Sequence, residues 1–167
     1  MTSEETGADS KALWSDAPLA SLIDHVIVTY HDPLRAELPR LHSLARTVHE
    51  DHGDDHREVL SEVLSIVTGL RFELEDHMAK EEQVLFPMIR EGQGCMADGP
   101  ITIMEQEHEA ATAALRRLRD LTESHGLPVD ASEEWRALWR GLQGLEASMR
   151  RHIELENEVL FPRALMS

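Results

Sequence analysis

The sequence predicts an all-α protein, specifically an antiparallel up-down four-helix bundle, from three observations. Apolar residues recur at steps of three and four along four separate segments, a spacing that places them on one face of an α-helix. Short stretches rich in glycine and proline separate the segments, so neighbouring helices are expected to run antiparallel. No stretch alternates apolar and polar residues in the way that a half-buried strand does.

The first helix is expected to start at Ser15 or Asp16 and to end near His52. Pro33 and Pro39 lie inside it. A proline in a helix interior removes one backbone hydrogen bond and clashes with the preceding turn, so we expect both prolines to kink or break this helix.

Glycine, proline and capping residues set the bounds of the other three helices. These helices are expected to run from a turn at 53–55 to about Arg90, from Pro100 to about His125, and from a cap at Asp130 or Ser132 to Pro162.

Each predicted helix carries polar side chains on the face that should be buried. They are His31 in the first helix, His77 and Glu81 in the second, His108 in the third, and His152 and Glu156 in the fourth. Burying an unpaired carboxylate costs several kcal/mol. A compensating cation is therefore expected, and a metal site is the economical form of it; the competing interpretation is a buried polar network without metal.

An internal repeat contains four of these six residues. The stretch from His77 reads HMAKEEQVLFP and the stretch from His152 reads HIELENEVLFP, with six of eleven positions identical. A lone histidine precedes each copy, His31 by 46 residues and His108 by 44. Two similar hairpins, each offering one lone histidine and one His-x-x-x-Glu pair, are suited to a two-metal centre.

The donor types narrow the choice of metal. Imidazole and carboxylate without thiolate favour iron or manganese over structural zinc. Two bridging glutamates and two histidines per ion leave room for a small ligand such as O2 or NO. Without metal, the four histidines are expected to repel one another once protonated and to lower stability below about pH 6.5.

His52 continues the apolar face of the first helix but lies 21 residues beyond His31. An unbroken helix would separate them by roughly 30 Å. We therefore expect His52 to cap or pack at the opposite end of the bundle, with a ligand role as the alternative.

Composition limits the class of protein. Against 16 basic residues stand 32 acidic ones, for a net charge of −16, which disfavours nucleic acid and anionic lipid as partners. Cys95 is the only cysteine, which excludes an intramolecular disulfide. With no signal-like start and no apolar run long enough for a membrane span, we expect a cytoplasmic protein. Residues 1–15 are expected to form a disordered tail and residues 16–167 one domain.

Four segments resemble the di-iron domain of the Repair of Iron Centers (RIC) proteins, which belong to the hemerythrin-like HHE group. They are APLASLIDHVIVTYHDPLRAEL from Ala17, HMAKEEQVLFPMI from His77, GPITIMEQEHEA from Gly99 and HIELENEVLFPRAL from His152. The resemblance implies a hemerythrin-like bundle in which His31, His77, Glu81, His108, His152 and Glu156 bind two iron ions. It further implies that oxo or hydroxo and carboxylate groups bridge these ions. The sequence contains no counterpart of the N-terminal cysteine domain that the full-length family carries.

The resemblance also implies a function: protection against nitrosative and oxidative stress through repair of damaged iron–sulfur clusters, through binding and reduction of nitric oxide, or both. Partners would be a small diatomic gas, damaged iron–sulfur proteins and an electron donor. If the protein reduces nitric oxide, it is an oxidoreductase of the nitric oxide reductase type. Two alternatives stay open, a hemerythrin that binds or senses O2 and an oxidoreductase acting on peroxide or an organic substrate.

Overall fold

Four long helical segments make up most of residues 12–167, the part of the chain that the computed structural model describes. We call α1 the run of Leu19–Val26, a π-helical turn Ile27–His31 and the part of the helix Asp32–Lys80 that precedes a bend at His56. We call α2 the part of that helix after His56, a π turn Glu81–Leu85 and Phe86–Arg90. A 3-10 turn at Gly94–Met96 leads to α3, Asp98–His125. Finally, α4 comprises Glu133–Leu155, a π turn Glu156–Leu160 and Phe161–Leu165.

The predicted all-α class is confirmed, since every regular element within residues 12–167 is helical. Residues 1–11 of the predicted tail lie outside the described residues. Of the rest of that segment, residues 12–14 form a helical turn. The guanidinium of Arg163 donates to the backbone oxygens of Trp14 (2.7 Å) and Ala17 (2.6 Å), which holds this stretch against the end of α4.

The bend between α1 and α2 is a single residue, His56, with φ −129° and ψ 29°. The expected turn at 53–55 is therefore placed slightly too early, and Gly53 is still helical. The expected break at Pro39 is wrong, because no other residue of Asp32–Lys80 leaves helical dihedrals. The carbonyl that loses its partner to Pro39 belongs to Arg35, on the exposed face of the helix, where water can solvate it.

A proline follows each π turn at the same distance. Pro33, Pro87 and Pro162 are each the second residue after such a turn. The carbonyl that a helical proline would meet lies four residues earlier, inside the π turn, and the wider turn relieves this clash. Pro33 is thus accommodated by a π turn rather than by a break, and α4 continues past Pro162, where we expected it to end.

The extra residue in a π turn shifts which side chains face inward. In the second helix the three-and-four spacing predicts Val84 on the buried face after Glu81, but Val84 is 51% exposed and Leu85 is buried. The other apolar positions of the predicted faces are buried, apart from the half-buried Ile27.

As residue numbers rise along one segment, the residues contacted on the neighbouring segment have falling numbers. Along α1 and α2, His49 meets Ser61, His42 meets Arg71 and His31 meets Glu82. Along α2 and α3, Glu62 meets Arg117 and His77 meets Glu107; along α3 and α4, Arg119 meets Glu146 and His108 meets Asn157. Along α1 and α4, Leu41 lies against Gly141 and His52 against Trp135.

Two apolar clusters divide the interior. The larger, which we call the distal cluster, contains Leu41, Val63, Leu118, Leu138 and their neighbours. The smaller, the proximal cluster, is built from the start of α1, the ends of α2 and α4 and the start of α3, with Leu22, Phe86, Ile101 and Phe161 among its members. Four buried histidines and two buried glutamates lie between the two. Within the described range no helix is both long enough and apolar enough to cross a membrane.

Candidate metal centre

The six polar residues expected on the inner faces are all buried. His31, Glu81 and Glu156 are 0% exposed, His108 and His152 1%, and His77 2%. The π turns help to place them, because His31 ends one turn and the two glutamates each begin another. Four helices therefore deliver six ionisable side chains to one layer between the apolar clusters.

The carboxylates lie at the middle of this layer. Glu81 Oε2 is 3.2 Å from His31 Nε2 and 3.5 Å from His77 Nε2. Across from it, Glu156 Oε1 is 3.1 Å from His152 Nε2, and Glu156 Oε2 is 3.1 Å from His108 Nε2. Each carboxylate thus faces histidines from two different helices.

Two groups of donor atoms share these carboxylates. One consists of His31, His152, Glu81 and Glu156, the other of His77, His108, Glu81 and Glu156, and within each group the donor atoms lie within 4.8 Å of one another. Each group takes one histidine from each of the two similar hairpins that contain the internal repeat. That arrangement can hold two cations side by side, with both glutamates available to both.

Many of these atoms are close without being hydrogen-bonded. Both carboxylate oxygens of Glu81 and of Glu156, and Nε2 of His31 and His152, are buried without a hydrogen-bond partner, although the distances above are within ion-pair range. Nε2 of His77 and Nε2 of His108 lie 3.1 Å apart, so the donor atoms of all six residues converge on one space. Buried carboxylates left this way are costly, and a bound cation would satisfy them, so the donor set fits a metal.

The outward nitrogens of three histidines are hydrogen-bonded. Nδ1 of His31 donates to Glu82 (2.7 Å), Nδ1 of His77 donates to Glu107 (2.9 Å), and Nδ1 of His108 donates to Asn157 (2.8 Å). A histidine that donates from Nδ1 keeps the Nε2 lone pair free and its ring oriented, which is the arrangement found around protein-bound metals.

Cations balance the two outer carboxylates. Arg35 donates to Glu82 at 2.6 Å, and Lys80 donates to Glu107 at 2.6 Å. Burial alone would raise the pKa of Glu82 and of Glu107, but hydrogen bonds from these cations and from the histidines outweigh it and lower both pKa values. Both groups therefore stay anionic at neutral pH.

His152 differs from the other three histidines. Its Nδ1 is buried without a partner, and its ring lies parallel to that of Tyr30, with centroids 5.1 Å apart and planes 2° apart. The site is therefore asymmetric, because His152 is the one of these four histidines whose Nδ1 has no oxygen acceptor.

In the metal-free state the carboxylates and histidines stabilise one another's charges. Burial would raise the pKa of Glu156, but His152 and His108 hold it well below 4.5. Burial would lower the pKa of His31 and of His108, but Glu81 and Glu156 raise both above 6.5. At these two positions the carboxylates therefore favour the protonated imidazole.

Sequence reasoning missed the outer partners Glu82, Glu107 and Asn157. The signal available was adjacency, because each of them is next in the chain to one of the six inner residues. In a regular helix adjacent residues point about 100° apart, and it is the packing of neighbouring helices that turns these three side chains towards histidines on other segments.

His52 is not brought to the centre. Its ring lies 4.9 Å from that of Trp135 at the distal end, and neither donor group among residues 12–167 contains it. The structure therefore agrees with a packing position for His52.

Comparison with known proteins adds a family. The model of the hemerythrin HHE cation binding domain matches residues 22–164. Proteins named iron-sulfur cluster repair protein YtfE, from Escherichia coli O1:K1 / APEC and from Escherichia fergusonii among others, are 45% identical over 152 residues, which is 91% of this chain and 69% of theirs. The matched region spans all six inner residues, so the chain belongs to the hemerythrin HHE cation-binding family and is a relative of the iron–sulfur cluster repair proteins within it.

Proposed function

We propose that His31, His77, Glu81, His108, His152 and Glu156 are the ligands of a di-iron centre. The observation that carries this is the pair of fully buried carboxylates, each shared by two groups of histidine donors and each without a hydrogen-bond partner. One ion would lie with His31 and His152 and the other with His77 and His108, with Glu81 and Glu156 serving both.

The chemistry of the donors supports iron. Nitrogen and oxygen donors without a thiolate suit iron or manganese, and the family is described as cation binding. Bound iron in such a site supplies reversible one-electron chemistry and affinity for NO and O2. The protein's own residues orient the imidazole rings through their Nδ1 hydrogen bonds, hold Glu156 ionised, and exclude bulk water through the apolar clusters on either side.

The surface comes close to the centre at two places. A depression of about 280 Å³ reaches His77 between α2 and α3, and one of about 260 Å³ reaches His108 between α3 and α4. Glu107 lines the first depression and Asn157 lines the second. A small molecule that reached His77 or His108 from these depressions would pass the hydrogen bond between each histidine and this lining residue.

We further propose that the protein protects iron–sulfur clusters against nitrosative and oxidative stress. Relatives at 45% identity are named for cluster repair, and the six inner residues lie within residues 22–164, which match the hemerythrin HHE cation binding domain. Damaged iron–sulfur proteins, a diatomic gas and an electron donor would be its partners, acting in the cytoplasm. The scaffold would be an antiparallel up-down bundle of α1 to α4 within a domain of residues 16–167, as the opposed contacts between segments support.

Metal content tests the centre. The wild-type protein should contain two iron ions per chain, and Glu81→Ala or Glu156→Ala should each lose most of the iron because each carboxylate serves both ions. The matched control is Glu58→Ala, at an exposed glutamate of α2, which should retain both ions. Zinc alone, or full iron in both glutamate variants, would contradict the proposal.

Reaction with gases and with a damaged protein tests the function. The reduced protein should react rapidly with NO under anaerobic conditions, followed optically. With iron and a reductant it should restore the cluster of an NO-treated [4Fe–4S] protein, whereas Glu156→Ala should not. Stable, reversible O2 binding without reaction towards NO would instead identify an oxygen-binding hemerythrin.

A further inference from the structure

A chain of aromatic rings leads from the surface to the metal centre. Trp14 lies 4.5 Å from His25 between ring centroids, His25 lies 6.0 Å from Tyr30 edge to face, and Tyr30 lies 5.1 Å from His152 in a parallel stack. All three separations are those of ring pairs in contact. Trp14, His25 and Tyr30 are each half-buried, so the chain runs from the margin of the protein to a buried histidine of the centre.

The rings are held in place by contacts with residues that are not part of this series of rings. Arg163 anchors the backbone of Trp14, Thr29 Oγ1 lies 3.1 Å from His25 Nδ1, and both Trp14 and Tyr30 pack against the proximal cluster. These contacts fix the order of the rings, Trp14, His25, Tyr30 and His152.

The side chains in this series of rings are suited to electron transfer. Tyr30 is the only tyrosine in the sequence, and tyrosine and tryptophan are the side chains whose rings give up single electrons most readily apart from sulfur groups. The other two tryptophans, Trp135 and Trp139, lie at the distal end beside His52 and His56.

We propose that Tyr30, His25 and Trp14 form an electron path that carries oxidising equivalents away from the centre to the protein surface. The proposal rests on the di-iron centre inferred above. His25 is the bridge between the two oxidisable rings, and Trp14 is the point at which a reductant in solution restores the path.

The step balances with a peroxide as oxidant. Hydrogen peroxide takes up two electrons and two protons to give two molecules of water. Tyr30 supplies one electron and its phenolic proton, and Trp14 supplies one electron and its indole proton, which leaves a neutral radical on each ring. A small one-electron reductant such as ascorbate returns two electrons, and two protons from solvent complete the cycle.

The test uses the iron-loaded, oxidised protein treated with hydrogen peroxide and mapped by peptide mass spectrometry. Oxygen addition should concentrate on Trp14 and should fall several-fold in Tyr30→Phe, which retains the stacked ring but cannot be oxidised. Trp14→Phe should prolong the tyrosyl radical signal in electron paramagnetic resonance. Ascorbate added with the peroxide should suppress the modification of Trp14.

Other residues of the protein serve as internal controls. Met96 and Met166 are 69% and 81% exposed and report oxidation by peroxide in bulk solution, which Tyr30→Phe should leave unchanged. Trp135 and Trp139 report any general oxidation of tryptophan. Metal analysis of each sample separates the two levels of the argument, since a protein without iron overturns both the centre and the path.

Two results would overturn the path alone. The first is equal oxidation of Trp14 in iron-loaded wild type and Tyr30→Phe. The second is equal oxidation of Trp14 with and without bound iron, which would mean that peroxide attacks the exposed edge of the ring directly.

Discussion

At the scale of single residues, the centre depends on side chains that do not face the proposed metal as much as on those that do. Three histidines have their Nδ1 atoms bound by Glu82, Glu107 and Asn157. Two of these acceptors are carboxylates and the third is a neutral amide. An anionic acceptor makes an imidazole more electron-rich than a neutral amide does. The rings of His31 and His77, which donate to carboxylates, are therefore expected to be more electron-rich than the ring of His108, which donates to an amide.

Asn157 allows a direct test of this outer layer. Asn157→Leu should lower iron affinity by about 10–100-fold, because Nδ1–H of His108 would lose its acceptor and the ring its orientation. Competition with a chromogenic chelator measures the affinity. Asn157→Asp keeps an acceptor and serves as the matched control, and equal affinities in the two variants would show that the hydrogen bond does not matter.

Protonation at the centre predicts how the metal-free protein responds to pH. The pKa values of His31 and His108 are raised in the folded state, so their contribution is full below 6.5 and is lost as pH rises through the raised values. The pKa of Glu156 is lowered, so its contribution is full above 4.5 and is lost as pH falls through the lowered value. Both contributions are full only between these limits.

We therefore expect the metal-free protein to melt at a higher temperature near pH 5.5 than near pH 8.5, about the middle of that window and well above it. Thermal unfolding followed by circular dichroism measures this, with Glu156→Gln as the comparison, since losing the shared charge should flatten the dependence. The iron-loaded protein should show the opposite trend on acidification, because protons compete with metal for the histidines. A metal-free protein that is steadily less stable below pH 6.5 would instead support repulsion among the histidines.

At the scale of helices, the close approach of α1 and α4 depends on one glycine. A Cβ at Gly141 would collide with Leu41 and would come within 3.0 Å of Arg40, whereas a Cβ at Gly144 would meet nothing within 4 Å. Both positions are helical. The pair therefore separates helix propensity from packing between helices.

Gly144→Ala should raise the free energy of unfolding by about 0.5–1 kcal/mol, the usual gain from alanine in a helix interior. Gly141→Ala should lower it, because displacing the buried Leu41 costs about 1–3 kcal/mol and exceeds that gain. Chemical denaturation of the iron-loaded proteins gives both values. Equal stabilisation by the two substitutions would mean that Leu41 can move away from position 141 without cost.

At the scale of the whole molecule, the polar layer joins two apolar clusters that have no buried side chain in common. The distal cluster holds the long arms of the four segments together, and the proximal cluster closes the end beyond the centre. The four histidines and two glutamates come from all four helical segments. A metal pair at this level would therefore tie the segments together where the continuous apolar packing is interrupted.

Removing iron should consequently loosen the proximal end more than the distal end. Hydrogen exchange followed by mass spectrometry should show faster exchange in peptides covering 19–31, 85–104 and 155–165, with little change in 59–70 and 115–121. The distal peptides are the internal control. Uniform acceleration would indicate that the protein unfolds as one unit when metal is lost.

The sequence by itself determined the helical class, the faces of the helices and the six residues at the centre. These follow from local rules: side chains three and four positions apart share a face of an α-helix, and ionisable groups on an apolar face require compensation. The repeat around His77 and His152, with the histidine that precedes each copy, singled out four of the ten histidines of the chain, and the structure buries these four together.

Only the tertiary structure decided what depends on contacts between segments. The grouping of His31 with His152 and of His77 with His108, the acceptors at Glu82, Glu107 and Asn157, and the stack of Tyr30 on His152 all join residues from different helical segments. The exposure of Val84 required the π turn before Pro87, which breaks the 3.6-residue period that the prediction assumed. Periodicity reports which way a residue faces within its own helix, but the partner that it meets depends on how the helices pack.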